Sequence, residues 1–121
     1  MTVVEVFDTQ TGEWSVGPAL PEPRAGNAAA VVAGRIFVFG GENLSDATVH
    51  SEVFEWVPTA ANETERWSGA WVLRGNLPKA RHGLAGVSGS GKVFALGGGL
   101  RAGLRTPFAL SADVAALKLG E

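Results

Sequence analysis

The apolar residues of this chain come in short runs, and clusters of turn-forming residues separate them. Residues 3–7 (VVEVF) read as a β-type run, followed by DTQTG at 8–12 and a second run, EWSV, at 13–16. The pair predicts a hairpin. Three prolines between 18 and 23 cannot give N–H groups to a sheet, so that segment is a connection. Residues 26–33 (GNAAAVVA) are small and then β-branched, and Gly34 and Arg35 turn them straight into IFVF at 36–39. A run with no polar break, closed by Gly40 and Gly41, is expected of a strand buried on both faces. A polar loop at 42–50 leads to EVFE at 52–55, and Trp71 opens another strand.

The pattern is then written again. LPEPRAGNAAAVVAGRIFVFGG at 20–41 aligns without a gap on LPKARHGLAGVSGSGKVFALGG at 77–98, every residue displaced by 57. Arg24 pairs with Arg81, Gly26 with Gly83, Phe37 with Phe94, and the double glycine with Gly97 and Gly98; Trp14 and Trp71 keep the same offset. EVFE at 52–55 matches EVFD at 5–8 at an offset of 47, so ten residues around 58–66 form an inserted hairpin loop. DVAAL at 113–117 falls where EVFEW fell and is expected as a strand, although its composition also suits a capped helix. A period in this range signals stacked supersecondary units, each burying its apolar face on the next. The unit is a small-residue strand, an aromatic strand ending in two glycines, a Val-Phe strand and a Trp strand. Four such antiparallel strands make one blade of a β-propeller.

These residues resemble the kelch repeat, whose period is about 50. The marks are Gly40 and Gly41, Gly97 and Gly98, Phe7 before Trp14, and the Pro-x-x-Arg segments Pro21 to Arg24 and Pro78 to Arg81. The family usually carries tyrosine where Phe7 and Phe54 stand here, which keeps the ring and loses a hydroxyl. The resemblance implies an all-β fold: kelch-type β-propeller blades of four antiparallel strands, in an incomplete ring. Residues 1–20 supply the outer two strands of a first blade, 21–76 a complete blade with the insertion near 58–66, and 77–121 most of a further blade. A propeller of five to seven blades needs roughly 250 to 350 residues, so further blades are expected from a longer polypeptide or an oligomer.

Composition narrows the chemistry. The formal charge is −2, which gives no bulk attraction for nucleic acid or an anionic membrane. There is no cysteine and no tyrosine, so the chain cannot itself supply a copper-radical oxidase site of the galactose oxidase type. No apolar run approaches the roughly 20 residues of a membrane helix, and no signal peptide is seen at the start; the cytoplasm is the favoured compartment. Residues 86–92 (GVSGSGK) match the first part of a phosphate-binding loop. However, Val93 stands where Ser or Thr would hold magnesium, and a strand rather than a helix follows. A hairpin turn explains them. His50 and His82 occupy non-equivalent loop positions, and no carboxylate–histidine spacing suggests a metal. Trp14 and Trp71 are expected to pack between blades, and Trp67 to make an exposed contact.

The loops entering a blade and those following its double glycine are expected on one rim, which in the kelch family often binds the partner. The residues expected to bind there are Arg24, Asn43, His50, Lys79, Arg81, His82, Arg101 and Arg105, although for Arg24 and Arg81 the repetition itself favours a structural role, bonding carbonyls between blades. The 79–105 group is locally basic, which suits an acidic protein or peptide. The expected function is a non-enzymatic protein-interaction module with no cofactor. The alternatives are a carbohydrate-processing propeller, similar to a sialic acid mutarotase and using Arg24, Arg81 and Glu42, or a structural segment without activity of its own.

Overall fold

The computed structural model describes residues 1–59, 67–103 and 110–118. The described residues are β-strands and turns with no α-helix, and so no helix long and apolar enough to cross a membrane. β1 (Glu5–Phe7) and β2 (Trp14–Val16) form a hairpin. Asp8 sets its turn: the carboxylate accepts the N–H groups of Gln10 and Thr11, and the Asp8 carbonyl accepts that of Gly12 at φ 74°. β3 (Ala28–Val32), β4 (Arg35–Phe39), β7 (Glu52–Pro58) and β8 (Gly69–Asn76) make a four-stranded antiparallel sheet in that order. The short pair β5 (Glu42–Asn43) and β6 (Thr48–Val49) sits between β4 and β7 in the chain. β9 (Ala85–Gly89), β10 (Lys92–Leu96) and β11 (Val114–Lys118) form a three-stranded sheet that begins like the four-stranded one.

The small-residue runs are strands, as expected, and not helices. β3 and β9 keep the 57-residue offset, and each turns back through a two-residue loop with both φ angles positive: Ala33 and Gly34 at 50° and 76°, Ser90 and Gly91 at 49° and 69°. That geometry is the hairpin turn whose twist matches the strands it joins. It also accounts for the GVSGSGK motif. The 113–117 segment is a strand too, from Val114 onward, paired along β10. The insertion expected at 58–66 begins as strand at Pro58; 60–66 lie outside the described residues.

The core runs through both larger sheets. Phe37, Phe39, Val53 and Ala95 are fully buried, and Ala28, Ala30, Leu77, Val93 and Ala115 nearly so. Phe37, Val38 and Phe39 are all buried because β4 is central, with strands on both edges and side chains covered on both faces. Each buried Phe removes enough apolar area to contribute about 1.5–3 kcal/mol. The inner strands of the two larger sheets almost touch. A Cβ on Gly86 would stand 2.7 Å from Phe39 and 3.0 Å from both the Ala28 methyl and the Ala29 carbonyl. Trp71 joins the hairpin to β8 by donating its indole N–H to the Pro18 carbonyl at 2.8 Å. Trp14, expected between blades, is instead 68 % exposed and stacks only on Phe7, since no described strand lies beyond β2 on that side. Trp67, expected as an exposed contact, leans on Trp56 with ring centroids 6.1 Å apart.

One buried charge stabilises the four-stranded sheet. Glu55 on β7 is 5 % exposed. Arg35 on β4 grips it with both ends of its fork (2.7 and 2.8 Å), and Arg74 on β8 adds a third bond at 2.6 Å. Arg74 reaches it because the β7–β8 register shifts at Val53/Phe54, leaving Arg74 as an extra residue on the β8 side. The Arg35 hydrogen bonds chiefly, against the opposing effect of burial and with help from Arg74, hold the Glu55 carboxyl down at about 2.

Two outcomes follow. A carboxyl that titrates lower in the folded state stabilises the fold above its unfolded value and loses that contribution as pH falls through the folded one. Unfolding free energy is therefore expected to drop by about 2–3 kcal/mol between pH 4.5 and pH 2 on account of Glu55. Glu55→Gln flattens that slope in urea titrations; an unchanged slope counts against the assignment. Gly86→Ala, which changes little in an open strand, costs about 1–3 kcal/mol here by overpacking the seam, read as a lower denaturation midpoint.

Candidate functional site

The double glycines end the aromatic strands and shape the rim. Gly40 and Gly41 take φ of 69° and 105°, and Gly97 and Gly98 take 65° and 97°. L side chains rarely adopt such angles, and there is no room for one. A Cβ on Gly40 would lie 2.7 Å from the Arg81 carbonyl, and one on Gly98 2.6 Å from the His82 carbonyl. This close approach lets the Gly41 N–H donate to the Arg81 carbonyl at 2.8 Å, while the Arg81 N–H donates to the His50 carbonyl at 3.2 Å. The Gly83 N–H adds a bond to the Gly26 carbonyl at 2.7 Å. The loop that enters the second large sheet is thus stitched to the first.

Two arginines brace that turn from inside. Arg24, its side chain fully buried, donates Nη1 to the Gly40 carbonyl at 2.9 Å and Nη2 to Glu52 at 3.0 Å; its guanidinium also lies 5.1 Å from the centre of the Phe54 ring. Arg81, 1 % exposed, donates Nη1 to the Gly97 and Asp113 carbonyls, both at 3.1 Å. A turn that leaves the sheet orphans carbonyls, and an arginine offers up to five donors in a fixed fork to take them.

Around these braces the two repeats diverge. Glu22 stands where the second repeat has Lys79, and Ala25 where it has His82. His82 is buried; its Nε2 lies 2.8 Å from the Arg101 carbonyl and its Nδ1 3.2 Å from Glu42. Glu42 also accepts the Gly103 N–H at 2.8 Å, so it ties the first sheet's loop to the 99–103 loop of the second. His50 is 4 % exposed, with Nδ1 3.4 Å from both Glu22 and Glu52. At Glu52, burial works to raise the carboxyl, and backbone hydrogen bonding and Arg24 outweigh it, so it sits below the usual carboxylate range. Lys79 and Asp113 form an exposed ion pair, and the Lys79 hydrogen bond chiefly lowers the Asp113 carboxyl.

Of the eight residues the sequence singled out, Arg24, His50, Arg81 and His82 are buried in the loop framework. Lys79 and Arg101 are exposed, and Asn43 is half-buried with its amide oxygen held by Ser45. Arg105 lies outside the described residues. Sequence reasoning missed the convergence of Glu22, His50 and Glu52 and the role of Glu42 as a clasp. A bulky or charged residue directly after a double glycine was the available signal for Glu42.

No protein-family model matches the chain. Among curated proteins it is 34 % identical over 104 residues to Kelch domain-containing protein 1 of Mus musculus, an alignment covering 78 % of this chain and 23 % of that protein. It is 30 % identical over 95 residues to an F-box/kelch-repeat protein of Arabidopsis thaliana, again 78 % and 23 %. A Kelch-like protein of Aspergillus terreus is 27 % identical over 110 residues, 91 % of this chain and 22 % of that one. The chain spans less than a quarter of the length of each of these relatives. With paired double glycines, braced arginines and antiparallel blades that do not close into a ring, the chain belongs to the kelch-repeat family and forms part of its β-propeller.

Proposed function

We propose that this chain is a protein-interaction module that docks a partner on the rim formed by the loops entering each blade and leaving each double glycine. On this reading residues 1–20 contribute the outer strands of one blade, 21–76 a whole blade with its insertion, and 77–121 most of the next, with further blades completing the ring. The observation that carries the proposal is the bracing of the rim. Buried Arg24, Arg81 and His82 and the Glu42 clasp fix loops whose outward positions carry variable polar side chains. Pre-ordered loops lose little entropy on binding, as a docking surface requires.

Arg101, exposed, and Lys79, whose ion pair with Asp113 is itself exposed and open to exchange, are the groups that an acidic segment of the partner would meet on one half of the rim. The other half, with Glu22 and Asp46 exposed, favours the opposite sign and would set the orientation of a partner carrying both. The carbohydrate reading is less well supported, because Arg24, Arg81 and Glu42 are already engaged by Gly40, Gly97, Asp113, His82 and Gly103.

The framework and the surface separate experimentally. Arg81→Met strands two carbonyls and is expected to cost about 2–4 kcal/mol, lowering the melting temperature by roughly 10 °C. Arg101→Glu combined with Lys79→Glu is expected to leave melting within about 2 °C. The same pair should weaken binding to acidic peptides about tenfold or more by fluorescence anisotropy. Equal binding of acidic and neutral peptides, or no loss in the double variant, discards the acidic preference.

A further inference from the structure

We infer that Glu22, His50 and Glu52 form a binding site for a divalent transition-metal ion of the zinc class on the rim of the first large sheet. The three residues are far apart in the chain. Glu22 lies in the proline-rich connection before β3, His50 just after β6, and Glu52 at the first position of β7. Folding brings one ligand atom of each within 4.8 Å of the others, and His50 Nδ1 is 3.4 Å from a carboxylate oxygen of both Glu22 and Glu52.

That separation is informative. It is too long for a strong charge-assisted hydrogen bond, which closes to about 2.7–2.9 Å. It equals the edge of a tetrahedron whose centre lies about 2.0–2.1 Å from each corner, the bond length of zinc to imidazole nitrogen and carboxylate oxygen. One nitrogen and two carboxylate oxygens suit such an ion. Glu22, 57 % exposed, leaves the site open to solvent, so a fourth position remains for water or a partner's side chain.

The surroundings support the same assignment. Arg24 donates to Glu52 Oε2 at 3.0 Å from a fully buried position, which orients the carboxylate and leaves it further lone pairs. His50 is fixed by burial, and its Nε2 has no hydrogen-bond partner. A metal on Nδ1 takes the tautomer that carries its proton on Nε2, and it replaces the long Nδ1 contacts to Glu22 and Glu52 with coordination.

Charge separates this corner from its counterpart. In the second repeat Lys79 replaces Glu22 and pairs with Asp113. In the first, the two carboxylates face Arg24 and the imidazole among the described residues. A bound cation supplies the charge that Lys79 supplies in the second repeat.

The test is calorimetric titration of the chain with zinc chloride, with magnesium chloride as control, followed by thermal melting in each metal. One zinc ion per chain is expected, with a raised melting temperature that magnesium does not reproduce. Glu22→Gln alters an exposed side chain and keeps the fold; it is expected to weaken zinc binding about tenfold or more. His50→Gln is expected to do the same, and the His50 imidazole nitrogen resonances should shift on zinc addition in the native chain. No zinc binding, binding unchanged in Glu22→Gln, or zinc-induced shifts at His82 instead of His50 would overturn the assignment.

Discussion

The structure depends on how a strand is allowed to leave a sheet. At Gly40 and again at Gly97 the backbone turns out through a positive φ, and a buried arginine from the preceding connection takes the carbonyl left behind. The glycine and the arginine need each other. Without the glycine the neighbouring chain could not approach to 2.7 Å of where a Cβ would stand. Without the arginine that approach would bury unpaired carbonyls, each costing about 1–3 kcal/mol. The same turn exposes the Gly41 N–H to the Arg81 carbonyl, so the device that closes one blade also attaches the next.

Much of this was legible in the sequence, because a repeat reports its own constraints. A residue kept at a fixed offset is doing an architectural job in both copies. The double glycines, the arginines, the small inner strands and the turns at 33–34 and 90–91 all appear on that basis. The burial of Arg24 and Arg81 did not. Repetition favoured a structural arginine bonding carbonyls over a ligand contact, but not such complete burial, since a charged residue is ordinarily assumed to face solvent.

What remained hidden lies where the copies differ or where register decides. Glu55, Arg35 and Arg74 meet only because an extra residue in β8 turns Arg74 toward β7, and no local pattern announces that bulge. Likewise, Glu22, His50 and Glu52 come from three segments whose approach depends on the path of the proline-rich connection. Trp14 shows the opposite failure. Its offset identified an inter-blade residue correctly in kind, since Trp71 does bond across to Pro18, yet Trp14 itself is left exposed beside Phe7.

The division between shared and divergent positions also separates stability from recognition. In stacked repeats, stability is approximately a sum of terms within each unit and terms between neighbours. Glu55 belongs to the first kind and Gly86, packed against Phe39 and Ala28, to the second. Neither kind restricts the outward residues of the rim. Glu22 can become Lys79 while the arginine and glycine framework stays the same. A scaffold that fixes its loops through buried groups leaves the exposed positions free to differ. The chemistry by which one blade is told from another therefore collects there.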